Sequence, residues 1–394
     1  MANLLDPVSL SATFSLRNRV CMSSLTRNRC VDNSMPGPSQ VQYYTDRARY
    51  GTGLIVTEGV LVDWAGCAFP YAPCLITTEH AKAWRKVVDS VHKEGGKILL
   101  QAWHPGRIQN ENMPAVRDRN QPVLAPSAIK AEGGKYKGLP NEPGHTANIT
   151  VIQNPRGVVE TYRKSSILAK MAGFDGIELL AQGGYLPHQF LNSRSNHRTD
   201  AYGGSVENRC RFTLEIVDAI SEVFGGYEFV CIKISPADAL NDSAVSFEEM
   251  QEIYTYLIKE FVKRQVGIVN ISRRGYNSGA GRESAAIMFQ RPEQYPLPPN
   301  YDPVLDFGRM VKYPGSPSKL MVNQDYTAEE ADLLIRQEKA DLVSFGRPFI
   351  YNPDVVPRLQ KGIAFAENDR DSTVFYGPYE TPDENYNDWP AALA

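Results

Sequence analysis

Eight short apolar or β-branched runs, each followed by a longer segment with apolar residues at helical spacing, constrain this 394-residue chain more than any other feature. The runs fall at residues 19–25, 53–61, 97–103, 176–181, 229–235, 267–272, 319–323 and 341–345. The helical segments fall at 38–50, 78–94, 156–172, 206–224, 247–263, 304–311, 328–339 and 355–360. Several open on a cap: Thr77 or Thr78 ahead of the Trp84/Val87/Val88/Val91 stripe, Ser246 with Glu249 three residues on, and Thr327 with Glu330. Apolar strands alternating with helices predict a buried parallel sheet. Eight such units close most economically into an α/β fold, a single (β/α)8 TIM barrel in which residues 1–394 form one domain. The competing doubly wound sheet normally shows a glycine-rich phosphate turn after its first strand, and Leu25-Thr26-Arg27-Asn28 has no glycine.

Two connections are long for a compact domain: 105–155 after the third strand and 273–302 after the sixth. Both leave the C-terminal end of a strand, where barrels build their active sites. Alternation from Val8 to Leu16 predicts a short N-terminal hairpin capping the opposite end, while the tail after Gly362 has no clear period and is expected to wrap the outside.

Charge and composition narrow the partners. The chain has 42 Lys+Arg against 45 Asp+Glu, net −3, with the cations scattered, so it carries no basic field for nucleic acid or anionic lipid. It has no apolar run of about 18 residues, and its first residues lack the basic start and apolar stretch of a signal peptide. These features predict a soluble, cytoplasmic monomer or homodimer acting on a small molecule, without nucleic-acid or membrane partners. The six cysteines form no Cys-x-x-Cys and are expected to be reduced and mostly structural. The six histidines form no His-x-x-x-His pair, so no metal is expected. The Gly-x-Ser-x-Gly elbow and the Gly-x-x-x-x-Gly-Lys-Ser/Thr loop are both missing, which removes the usual hydrolase and nucleoside-triphosphate signatures.

What remains is a set of polar residues at strand C-terminal ends: Thr26, Glu58, Gln101 with Trp103 and His104, Gln182 with Tyr185, Lys233, and Ser344 to Arg347. Singly, each reads as a residue satisfying local hydrogen bonds. Together they ring one mouth. Asn323-Gln324-Asp325 and Ser344-Phe345-Gly346-Arg347 follow the seventh and eighth strands, where barrels commonly hold a phosphate on loop amides and a cation. Arg347 fits either a phosphate fork or a structural bond to a helix end.

Longer stretches resemble a known family. Residues 16–27, Glu58-Gly59, Gln101-Ala102-Trp103, Lys233-Ile234-Ser235-Pro236, 345–354 and above all 184–209 are similar to the old yellow enzymes, FMN-dependent, NAD(P)H-driven ene-reductases on a (β/α)8 barrel. The resemblance spans roughly residues 6–376. It implies FMN contacts from Ser24, Thr26, Gly59, Gln101, Lys233, Asn323, Gln324, Phe345, Gly346 and Arg347. Among these, Thr26 would bond the flavin C4 carbonyl, Lys233 would stabilise the reduced anion, and Arg347 with the amides around Gly346 would hold the phosphate. It implies Tyr185 as proton donor and NADPH or NADH as hydride source. Trp103 and Tyr376 would line the substrate pocket.

The sequence departs from the family in the phosphate region, with Asn323-Gln324 where a Gly-Gly or Gly-Asn pair is common and Ser344 where Gly is common, and at one chemically important pair. Members carry His-x-x-Asn or His-x-x-His just before the Gly-Tyr, whereas this chain has Leu180 and Gly183 there. Those side chains ordinarily stabilise charge developing on the substrate carbonyl oxygen, and losing one such donor typically costs about a hundredfold in rate. Gln182, His188 or a loop residue are the candidate replacements. The implied activity is hydride transfer to an activated C=C of a specialised substrate, with Leu180, Gln182, Gly183 and His188 beside it. The alternatives are a redox-neutral isomerase or desaturase on the same scaffold, a catalytically weak flavin-binding protein, and a barrel using phosphate-containing substrates without flavin.

Overall fold

The computed structural model describes residues 2–132, 144–273, 291–370, 373–377 and 379–392. Most of the expected 273–302 connection and the centre of the 105–155 connection lie outside the described residues.

Among the described residues there are twelve strands: β1 (Val8–Ser9), β2 (Ser15–Leu16), β3 (Val20–Met22), β4 (Leu54–Leu61), β5 (Ile98–Trp103), β6 (Val123–Ala125), β7 (Ile149–Val151), β8 (Gly176–Ala181), β9 (Val230–Ile234), β10 (Ile268–Ser272), β11 (Lys319–Asn323) and β12 (Leu342–Phe345). Eight of them close a barrel in the order β3-β4-β5-β8-β9-β10-β11-β12 and back to β3. Every pairing around it is parallel; β12 meets β3 at Val343↔Val20. The helices between them are α1 (Pro38–Arg49), α2 (Thr78–Lys93), α3 (Pro114–Arg117), α4 (Pro155–Ala172), α5 (Leu186–Leu191), α6 (Val206–Phe224), α7 (Phe247–Lys263), α8 (Pro303–Val311) and α9 (Ala328–Arg336). The chain is thus a (β/α)8 barrel, as its strand and helix pattern implies.

Local chemistry fixes the boundaries. Thr77, not Thr78, caps α2, accepting from the His80 amide. Ser246 caps α7 through the Glu249 amide, and Thr327 with Glu330 forms a reciprocal capping box on α9. Helices α4 and α6 end on Gly173 and Gly225 in the left-handed conformation. The sequence pattern missed α5, which follows β8 within the Gly-Tyr segment, and the three-residue pair β6/β7, too short for any period to register.

Alternation along the strands sorts the two sides of the sheet. Outward residues such as Val20, Ile55, Ile98, Leu100, Ile177 and Val343 join the large core shared with the helices. Inward residues Cys21, Leu54, Leu99, Cys231, Ile268, Met321 and Leu342 form a separate apolar layer capped by Val8, Leu10, Phe14 and Leu16. The β1/β2 hairpin therefore plugs the N-terminal end of the barrel. The tail does more than wrap the outside. Tyr386 stacks on Tyr43 of α1 with centroids 4.0 Å apart, and Arg27 donates to the carbonyls of Val374 and Asn385, so the tail is drawn onto the mouth. Among the described residues no helix is long and apolar enough to cross a membrane.

Candidate functional site

Two residues further along most of these strands, on the same inward side, the apolar layer gives way to a polar one. Period-two counting leads from Cys21, Leu99, Cys231, Ile268, Met321 and Leu342 to Ser23, Gln101, Lys233, Asn270, Asn323 and Ser344, and β8 adds Glu178. Hydrogen bonds link most of this layer. The Ser24 hydroxyl donates to Gln101 Oε1 at 2.7 Å, and Gln101 Nε2 donates to Glu178 Oε1 at 2.7 Å. Asn270 Nδ2 donates to Glu178 Oε2 at 2.8 Å, and Asn323 Nδ2 donates to Asn270 Oδ1 at 2.7 Å. The Glu178 carboxylate is fully buried and also receives the Cys231 thiol at 3.4 Å, which offsets the cost of its desolvation. Lys233 Nζ donates to Ser23 Oγ at 3.1 Å, from a strand position flanked by Leu180 and Asn270.

Above this layer the lining turns apolar and aromatic. Trp103, Leu180 and Tyr185 share one cluster with Cys67 and Cys74. The Trp103 and Tyr185 rings meet edge to face at 5.3 Å. Phe69 lies 6.1 Å from Trp103 and stacks on Tyr376 at 5.3 Å, so a loop after β4 and the C-terminal tail complete one aromatic wall. Gly59 sits against this wall; a Cβ there would come within 2.9 Å of the Trp103 ring. Burial holds the Tyr376 phenol above its usual pKa, opposed in part by Arg27 and Arg347. His104, buried beside Trp103, is pushed down to about 4 and contributes no cation.

Leu180, Gln182, Gly183 and His188 take distinct places. Leu180 is buried in the aromatic cluster. Gly183 is left-handed at φ 69°; its amide donates to Asp238 Oδ2 at 2.9 Å and its carbonyl accepts from Asn241 Nδ2 at 2.7 Å. Gln182 continues the inward side of Glu178 and Leu180, and its buried Oε1 has no hydrogen-bond partner among the described residues. His188 does not join them. As the third residue of α5 it turns back to accept from the Gly184 amide at 3.1 Å, and its Nε2 lies 3.3 Å from the Tyr254 hydroxyl on outer helix α7. These two contacts tie it to the Gly-Tyr loop and to α7.

The last two strand ends form a second subsite. Arg347 is exposed at the start of the short helix Pro348–Tyr351. Among the described residues, a Cβ at Gly346 would meet nothing closer than 3.6 Å, which leaves its backbone open to approach, and Ser344 Oγ is buried without a partner. Gln324 and Asp325 both hold left-handed backbone, at φ 89° and 54°. Arg273, which the sequence reading passed over, pins this loop: Nε donates to the Gln324 carbonyl at 2.6 Å, a second nitrogen bonds the Asp325 carbonyl, and the guanidinium pairs with Glu330 at 3.2 Å. Its place directly after β10 was the available signal. Among the described residues no cluster of three or more His, Cys, Asp or Glu could hold a metal.

This geometry coincides with strong similarity to known proteins. A model of the NADH:flavin oxidoreductase / NADH oxidase family matches residues 3–365. The chain belongs to that family. It is 33% identical over 397 residues to flavin oxidoreductase hxnT of Emericella nidulans, covering 99% of this chain and 97% of the relative. It is 32% identical over 391 residues to 12-oxophytodienoate reductase 7 of Oryza sativa subsp. japonica, covering 96% and 92%. Among solved structures, morphinone reductase in complex with tetrahydroNAD superposes with a TM-score of 0.80 at 34% identity, covering 99% of this chain and 98% of that one. The chain is accordingly an FMN-dependent NAD(P)H oxidoreductase of the alkene-reductase kind. Its residues fit that cofactor. The mouth offers a buried ammonium at Lys233, an orphaned hydroxyl at Ser344, an open backbone at Gly346 and an exposed guanidinium at Arg347.

Proposed function

We propose that this enzyme reduces an activated C=C of a specialised substrate, with Tyr185 as proton donor and an oxygen-binding site rebuilt without the family's side-chain pair. The observation that carries the reading is the edge-to-face contact of Tyr185 with Trp103 beside Leu180, directly above the Gln101/Lys233 layer. FMN, when bound, supplies the hydride. Ser24, Thr26, Gly59 and Gln101 would hold its ring, with Lys233 placing positive charge at the ring's inner edge. Asn323, Gln324, Phe345, Gly346 and Arg347 would hold its phosphate end. Trp103, Phe69 and Tyr376 wall the substrate and exclude water. Tyr185 keeps a proton at its hydroxyl and delivers it to the substrate carbon next to the one reduced.

Leu180 and Gly183 bring no side-chain donor to the substrate oxygen. The amide of Gln182, on the same inward side as Leu180, is the group of this chain placed to take over. The same two residues favour a second reading, redox-neutral isomerisation or desaturation, in which a carbonyl need not be polarised so strongly.

One stopped-flow experiment separates these readings. NADPH-reduced wild type and Tyr185→Phe are mixed with cyclohex-2-enone, and flavin reoxidation is followed. Fast wild-type reoxidation at low enone concentration, slowed about 10²-fold or more in Tyr185→Phe with unchanged reduction by NADPH, is the expected result. Slow reoxidation of both favours the second reading; equal slowing of both half-reactions removes Tyr185 from its role.

A further inference from the structure

We propose that Asn28 is a positioning residue, a clasp that seats the two independent halves of the aromatic wall and so sets the binding affinity of the pocket. This rests on the reading of Phe69 and Tyr376 as that wall. The two rings stack at 5.3 Å but come from distant parts of the chain, a loop after β4 and the C-terminal tail. Neither segment belongs to the barrel sheet, so something must set their spacing.

Asn28 touches both. Its Oδ1 accepts from the Tyr71 amide at 2.8 Å, two residues beyond Phe69. Its Nδ2 donates to the Tyr376 carbonyl at 3.2 Å. One planar amide thus fixes the loop and the tail relative to each other. The clasp is itself anchored. The Asn28 amide donates to Glu58 Oε2 at 3.3 Å, next to the Arg27 amide at 3.0 Å, and the Tyr379 hydroxyl donates to the Asn28 carbonyl. The residue is 6% exposed, and with these partners each of its main-chain and side-chain polar groups is engaged. Its backbone is left-handed at φ 57°, a conformation that asparagine tolerates better than most residues. In that conformation the side chain reaches both the loop and the tail. A buried polar link of this kind orders its partners more than it stabilises the fold.

The test uses the FMN-loaded enzyme and two variants that both tolerate the backbone. Asn28→Gly keeps the left-handed conformation and removes both bonds. Asn28→Asp keeps the acceptor for Tyr71 and sets a carboxylate against the Tyr376 carbonyl. The apparent Kd for NADPH comes from the concentration dependence of flavin reduction, and amide exchange is read at Tyr71. Asn28→Gly is expected to exchange faster at Tyr71 and to weaken NADPH about tenfold, while FMN content and the limiting reduction rate stay within about twofold. Asn28→Asp should keep Tyr71 protected and show an intermediate loss. A generally loosened fold would instead lower FMN content and the limiting rate together, and that outcome overturns the proposal. So does wild-type affinity in Asn28→Gly when Phe69→Ala and Tyr376→Ala both weaken NADPH. If Tyr71 exchange rises in Asn28→Gly but none of the three variants alters affinity, the failure lies with the reading of those rings as the wall.

Discussion

The two ends of the barrel are built from the same eight strands and obey opposite rules. At the N-terminal end, inward positions are apolar and the β1/β2 hairpin closes them off with Leu10, Phe14 and Leu16. Two residues further along, the same inward side carries Gln101, Glu178, Lys233, Asn270 and Asn323. One end buys stability by excluding water, and the other holds a charged, hydrogen-bonded ring that only pays off when a ligand completes it. The contrast predicts that substitutions at the two ends will separate stability from activity.

The largest expected effect lies at the closed end. Phe14 is 3% exposed, stacks on Phe229 at 6.2 Å and lies beneath the Lys97 ammonium. Phe14→Ala should cost about 3–5 kcal/mol in denaturant unfolding, while activity per bound flavin below the transition stays near wild type. An equal loss of specific activity would mean the plug is coupled to the mouth, and the comparison would break.

At the open end the expectation reverses. Lys233→Gln removes the buried ammonium while keeping a polar side chain near Ser23 Oγ. Flavin reduction by NADPH should slow about 10²-fold, with the unfolding midpoint little changed. A large stability loss with intact reduction rate would show that Lys233 serves the fold rather than the cofactor.

The same division explains what the sequence revealed. The barrel was legible because burial on both faces gives strands a continuous apolar signature and helices a 3.6 period, and capping at Thr77, Ser246 and Thr327 marks their starts. Lys233, Gln101, Tyr185 and Arg347 stood out because polar residues at strand ends are conspicuous. Asn270 was equally readable by counting two residues on from Ile268, yet inside strands it and Glu178 passed as interior residues. Asn28 was not readable, and for Arg273 only its place directly after β10 was. Their roles depend on long-range meetings, with the tail some 350 residues away and with the loop after β11, that no local period encodes. The orientation of His188 was hidden for the same reason: only the fold shows its Nε2 beside Tyr254 of α7.

The smallest effect probes the seam between the two regimes. Gln324 holds φ 89° at the end of β11, where its carbonyl accepts from Arg273 and its side chain makes only a 3.4 Å contact with Asp325. A non-glycine residue in that region is strained, and relief of the strain exceeds the extra chain entropy that glycine loses on folding. Gln324→Gly should therefore stabilise the protein by about 1 kcal/mol in chemical denaturation. Because this loop belongs to the open end, the gain should carry a cost in FMN retention if the Gln324 side chain reaches the phosphate. Retention is read by fluorescence of flavin released on dilution. Stabilisation with unchanged retention assigns phosphate binding to the loop backbone and Arg347; weaker retention assigns part of it to Gln324 and explains why the strain is kept.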